Sequence, residues 1–244
     1  ALGRTGLKVG ILGLGGYHAT LHEDEKESIA LMHRALDLGI NFFDNADCYS
    51  VGVAEERMGK AIEGRRDKVV LMTKVDDRDA KGAMETLEMS LASLRTDYLD
   101  VWQFHGVFTI DELDKILAPG GAIEAAEKAK KAGKIRFVGL TGHLGAITQQ
   151  EAIRRYPFDT IQPALNCVDP HFENFRGIAV EEAAKRSVGV IAMKTMAFGQ
   201  IYKQKVATVE DALRWVWSQP ISVGLSGCEK MEFLNHNAYL AKTF

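Results

Sequence analysis

Residues 68–105, KVVLMTKVDDRDAKGAMETLEMSLASLRTDYLDVWQFH, decide the fold. Lys68–Val75 and Tyr98–His105 are short apolar runs rich in β-branched and aromatic residues. Between them Met84, Leu87, Leu91 and Leu94 repeat at close to the helical period and draw one apolar stripe. The stretch therefore reads strand, helix, strand. Runs that are nearly continuous in apolar residues suit strands covered on both faces, as in a parallel sheet.

The same alternation extends outward in both directions. Leu7–Gly15 and Asn41–Ala46 precede the stretch, and Lys134–Gly142, Asp159–Asn166, Val188–Lys194 and Ile221–Gly227 follow it, giving eight candidate strands. Helical stripes separate them. Ile29, Met32, His33 and Leu36 form one, and Thr208 with Asp211 reads as a capping box opening another through Val209, Ala212, Leu213 and Val216. Gly39, Gly64 and Gly133 stand where helices should stop. Eight such units can form an open doubly wound sheet or a closed barrel. With 244 residues and no linker or break in composition, each unit has about 30, close to the ~250 residues typical of a closed barrel. The expectation is a single α/β domain over residues 1–244, a (β/α)8 TIM barrel.

The composition bounds the partners. Thirty basic against thirty-three acidic residues leave a net charge of −3, so no basic footprint for nucleic acid or an anionic membrane is expected. No apolar run approaches the roughly 18 residues that would span a bilayer. The leading ALGRTGLKVG lacks the apolar core of a signal peptide, and Cys48, Cys167 and Cys228 are too few and too scattered for a disulfide framework. A cytoplasmic protein, monomeric or weakly homo-oligomeric, acting on a small molecule is expected.

Barrel enzymes carry their chemistry at the carboxyl ends of the strands. Asp44 closes one run, Tyr49 follows five residues later, Lys74 closes the next and His105 the one after. Asp44, Lys74 and His105 are 30 and 31 residues apart, one barrel unit each, so adjacent strands would bring them to one rim. Any one alone reads as a strand end facing water, or for Tyr49 as packing; the repetition argues for acid–base chemistry. The glycines Gly13, Gly15 and Gly16 do not complete a dinucleotide fingerprint, because His18 stands where the third glycine belongs. No P-loop, HExxH or CxxC is present, and His143 and His171 have no partner at ligand spacing, so no metal is expected.

Phe43–Tyr49, FDNADCY, with Glu55–Glu56 and Met58–Ile62 downstream, resembles the signature of the aldo-keto reductase superfamily. The likeness runs along the whole chain: Thr73–Lys74, Leu94–Asp100, Gln103–His105, Gly133–Arg136, Val138–Gly139, Gln162 and Asn166 resemble the family's later motifs. It implies a catalytic tetrad of Asp44, Tyr49, Lys74 and His105, and reduction of aldehydes or ketones by hydride transfer from NAD(P)H. Tyr49 would be the general acid, Lys74 would lower its pKa, Asp44 would hold the ammonium, and His105 would bond the carbonyl oxygen. Cys48 reads as packing.

The resemblance also implies a nicotinamide dinucleotide across the barrel mouth. Gly16, Tyr17, Asp44, Gln162, Gly227, Lys230 and Asn237 fall at contact positions. His143, after Gly142, replaces part of a Ser-Asn pair, Met193 stands where an aromatic usually covers the nicotinamide, and Lys194 is placed to reach the pyrophosphate. Phe233 occupies the place of an arginine that clamps the 2′-phosphate, with Glu229 nearby, so NADP(H) is favoured only slightly and NAD(H) is also admitted. Trp102 reads as core, and Phe108, Phe198 and Tyr202 as pocket lining. The alternative is a non-catalytic, cofactor-sensing regulatory subunit of the same fold.

Overall fold

The computed structural model describes residues 1–244. Eight strands, β1 (Leu12–Gly15), β2 (Phe42–Asp44), β3 (Val70–Val75), β4 (Leu99–Phe104), β5 (Ile135–Gly142), β6 (Thr160–Pro163), β7 (Gly189–Ala192) and β8 (Val223–Ser226), run parallel in sequence order. β8 closes on β1 through Leu12–Gly224 and Leu14–Ser226, so the (β/α)8 barrel is observed and the open sheet is not. Helices such as Glu25–Asp37, Val53–Ile62, Ala80–Ser93, Ala122–Lys131 and Val209–Trp217 occupy the crossovers. No helix is long and apolar enough to cross a membrane.

Pleating sorts the side chains into two cores. Phe42, Val70, Met72, Val101, Ile191, Val223 and Leu225 fill the barrel interior. Trp102 and Phe104, one residue out of phase with Val101, face the helices, so Trp102 is core as expected. Asp44, Lys74 and Gln103 keep the inward phase of Phe42, Met72 and Val101. They therefore cap the apolar filling at its carboxyl end.

Two sequence expectations shift. The opening strand begins at Leu12 rather than Leu7, because Leu2 and Leu7 turn inward and plug the barrel floor with Val70 and Val101. In helix Glu25–Asp37 the fully buried face is Ser28, Leu31, Met32 and Ala35; His33 instead uses its Nε2 on the carbonyl of Ala61 at 2.9 Å. Thr208 does cap its helix, accepting from the Asp211 amide at 3.0 Å. Gly39, Gly64 and Gly133 all take the left-handed conformation that ends a helix.

At the start of β4, the Asp100 carboxylate has 3% of its side chain exposed and accepts from Arg136 at 2.7 Å, Arg66 at 2.9 Å and the amide of Leu71 at 3.0 Å. One carboxylate thus ties three successive units at the end of the barrel opposite the capping polar groups. Asp100→Ala is expected to lower unfolding free energy in urea by about 2–4 kcal/mol, less than a fully buried pair because Arg136 is half-exposed. A loss below about 1 kcal/mol would mean that the two guanidinium groups are satisfied by water.

Candidate active site

Lys74 is almost wholly buried, which a lysine tolerates only when its charge and protons are matched. Its ammonium donates to Asp44 Oδ1 at 2.6 Å, to the carbonyl of Asn45 at 2.5 Å and to the Tyr49 hydroxyl at 3.0 Å. All three donors are used. Burial works against the ammonium, but Asp44 and Tyr49 outweigh it and hold Lys74 above the ordinary lysine value. The carbonyl of Asn45 is a partner that sequence could not reveal, since a backbone acceptor carries no residue signature. Behind the pair, Thr73 donates to the buried carboxyl of Glu55 at 2.5 Å.

Tyr49 follows the end of β2 and opens a short turn, Tyr49–Gly52, in which Ser50 and Val51 both take left-handed φ. For a β-branched residue such as Val51 this conformation is strained. The tyrosine ring meets Tyr17 edge-on at 5.6 Å and His105 at 6.1 Å. Its hydroxyl accepts from Lys74, so its own proton is left to donate. Burial pushes the phenol above its ordinary value, and the pull of the Lys74 cation only partly offsets this. The lysine thus pulls in the expected direction, but burial is the larger effect, and the phenol lies above rather than below its ordinary value.

His105 lies just beyond β4, with 15% of its side chain exposed. Its Nδ1 is 3.1 Å from Asp76 Oδ1 and 3.7 Å from Cys48 Sγ, which leaves Nε2 as the ring atom for a ligand oxygen. Asp76 was not marked by any sequence signal except that it follows Lys74 by two residues. Cys48, read as packing, is instead exposed and touches the histidine. Partial desolvation of its sulfur and the carboxylates of Asp76 and Asp47 push the thiol up to about 11, so it is not a thiolate nucleophile.

The remaining sequence candidates divide. Gln162 is buried and its Oε1 has no hydrogen-bond partner, an orphaned acceptor in the interior. Lys194 sits 4.1 Å over the Phe198 ring with no carboxylate partner, and burial lowers its pKa. Met193 joins the interior core at the end of β7. His143 packs beside Phe108 and is driven down to about 4, first by burial and then by Lys194, so it is neutral. A Cβ on Gly16 would meet the carbonyl of Asp44 at 2.8 Å, and one on Gly227 the His18 ring at 3.1 Å. Tyr17 is about half-exposed beside Tyr49. Lys230 precedes helix Met231–Lys242 and lies 5.5 Å over Phe233. Asn237 is buried, and its amide nitrogen is committed to Ser226 at 3.1 Å and Cys228 at 3.5 Å. Its side chain thus ties the last helix to the end of β8. Phe198 and Tyr202 are largely exposed.

The sequence profile of the Aldo/keto reductase family matches residues 11–238. The chain is 35% identical over 186 residues to an aldo-keto reductase of Bacillus subtilis, YhdN, covering 69% of this chain and 54% of that protein. The chain spans about half the length of the first curated relatives it matches. An aldo-keto reductase from Bacillus halodurans superposes with a TM-score of 0.82 at 25% identity, covering 99% of this chain and 89% of that one. One from Klebsiella pneumoniae, solved with NADP and acetate, superposes with a TM-score of 0.77 at 25% identity, covering 96% and 86%.

Proposed function

The chain belongs to the aldo/keto reductase family, and on that premise we propose that it reduces small aldehydes or ketones to alcohols with a reduced nicotinamide dinucleotide as reductant. The observation that carries the reading is the single direction of the Lys74–Tyr49 hydrogen bond: the ammonium donates, so the phenol keeps its proton for the substrate. Asp44 and the Asn45 carbonyl fix the other two ammonium protons, so the lysine cannot rotate away.

The residues suit the cofactor. The orphaned Gln162 Oε1 offers an acceptor to the carboxamide, Met193 an apolar and polarisable surface to the ring, and the unpaired Lys194 a cation to the pyrophosphate. Gly16, Tyr17, His143, Gly227, Lys230 and Asn237 complete the proposed contact set, Asn237 through the position of the last helix. Bound there, the reduced nicotinamide supplies a hydride to the carbonyl carbon. The chain manages the oxygen. As negative charge grows on that oxygen, the Tyr49 hydroxyl gives its proton, and the charge left on the phenolate is met at 3.0 Å by Lys74. Asp76, 3.1 Å from Nδ1 of His105, fixes the orientation of the imidazole ring, which lines the place of the carbonyl beside Tyr49.

NADP(H) is the favoured cofactor, a choice supported by the NADP complex of the Klebsiella relative. Lys230 is the cation nearest the proposed 2′-phosphate and Phe233 stands beside it in place of an arginine. One charge-assisted hydrogen bond is worth roughly 1.5–3 kcal/mol, so its loss should remove about ten- to hundredfold of NADPH preference. Fluorescence titration with both reduced cofactors should therefore find weak discrimination in favour of NADPH; a ratio above about 10³ would show a rebuilt clamp. Steady-state turnover on a panel of aldehydes and ketones tests the whole reading. Cofactor binding with negligible turnover across that panel would favour a regulatory subunit instead.

A further inference from the structure

Three side chains that the reductase reading uses only in part converge beside the tetrad. Cys48 after β2, Asp76 after β3 and His105 after β4 lie at the ends of three neighbouring strands, and one ligand atom from each falls within 4.8 Å of the other two. They combine a thiol, an imidazole and a carboxylate, the donor set of a borderline-soft divalent cation.

The spacing decides between a mere contact and a coordination site. Zinc bonds of about 2.3 Å to sulfur and about 2.0–2.2 Å to nitrogen and oxygen, at tetrahedral angles, put S and N about 3.5 Å apart and N and O about 3.4 Å apart. Here Sγ of Cys48 is 3.7 Å and Oδ1 of Asp76 is 3.1 Å from Nδ1 of His105. Both edges match to within a few tenths of an ångström, and the third, between the Cys48 sulfur and the Asp76 carboxylate, is no longer than 4.8 Å. Cys48 and Asp76 are exposed, so a hydrated cation can reach them and keep water in the fourth position. Asp47, whose carboxylate accepts from the Cys48 amide at 2.8 Å, adds negative charge next to the sulfur. His105 is the one basic side chain that pairs with the Asp76 carboxylate; the Arg78 guanidinium lies close by but is spent on backbone, donating to the carbonyls of Asp76 at 2.9 Å and His105 at 2.6 Å.

We propose that Cys48, Asp76 and His105 form a binding site for a zinc-class divalent cation at the barrel rim. Binding releases the thiol proton to solvent and places the metal on Nδ1, so the imidazole proton must sit on Nε2. The cation would then fix the histidine tautomer that donates to a carbonyl oxygen, a consequence that rests on the reductase reading; the binding itself does not.

The test uses cobalt(II) as a coloured substitute for zinc on the reduced, metal-free chain. One equivalent should bind with a thiolate-to-cobalt charge-transfer band, displaced by zinc, and with about one proton released per metal at neutral pH. Cys48→Ser should abolish the band, and Asp76→Asn should weaken binding at least about tenfold. Cysteines 167 and 228 serve as internal controls, since they remain in both variants. No band in the wild-type chain, or an unchanged band in Cys48→Ser, would overturn the site. Nitrogen-15 spectra of histidine-labelled chain should show His105 as the Nε2–H tautomer with zinc bound, and a His105 spectrum unmoved by zinc would also overturn it. A chain that binds cobalt in this way yet reduces no carbonyl would sink the reductase reading and leave the metal site standing.

Discussion

Tyr49→Phe is expected to cut carbonyl reduction by about 10²–10⁴-fold while leaving NADPH binding at the wild-type level. The substitution removes one oxygen and keeps the ring, so the edge contacts to Tyr17 and His105 survive. Lys74 loses one of three acceptors but retains Asp44 and the Asn45 carbonyl, so the buried charge stays paired. What disappears is the only proton donor held against the lysine. Because the phenol lies above its ordinary pKa, it is protonated throughout the neutral range, and wild-type reduction should fail only on the alkaline side. The substituted chain should have no such limb. Turnover within about tenfold of wild type, measured at saturating cofactor, would take the acid's role away from Tyr49.

The strand ends were legible because a parallel barrel repeats itself. Burial on both faces writes a nearly continuous apolar run, and a polar residue that stops it, as Asp44 and Lys74 do, marks the rim. The false length of β1 has the same origin: Leu7 is as apolar as a strand residue, and only the fold shows that it plugs the floor with Leu2. The direction of the Tyr49 shift was not legible, since sequence names the lysine beside the phenol but not the burial that outweighs it. Cys48 meeting His105 was equally hidden. The contact joins the ends of β2 and β4 across Asp76, and no spacing rule links residues brought together by three separate strands. At the other end of the barrel, the resemblance flagged Leu94–Asp100 and Gly133–Arg136 as family motifs without distinguishing chemistry from architecture. Asp100 holding Arg66 and Arg136 assigns them to architecture.

Lys74→Met should lose turnover on the scale of Tyr49→Phe, about 10²–10⁴-fold, and should also move what remains of the alkaline limb to higher pH. The sign follows from the charges: the cation pulls the Tyr49 pKa down against burial, and without it the phenol rises further and becomes a weaker acid. This variant carries a second effect that Tyr49→Phe lacks. Asp44 would remain buried with no counter-ion, which costs about 3–5 kcal/mol of stability in a closed site. The folded-state pKa of Lys74 is raised, so its stabilising contribution is whole below the ordinary lysine value of about 10.4 and is lost only as pH rises through the folded value. At neutral pH the full loss should therefore appear in urea unfolding. Pairing it with Asp44→Asn separates the two effects, because the double variant buries no charge. Stability should largely return while turnover stays low, since an amide cannot supply the cation that meets the phenolate. Recovery of turnover along with stability would mean that the Lys74–Asp44 pair serves only to hold the rim together, and that Tyr49 gives up its proton without help from a positive charge.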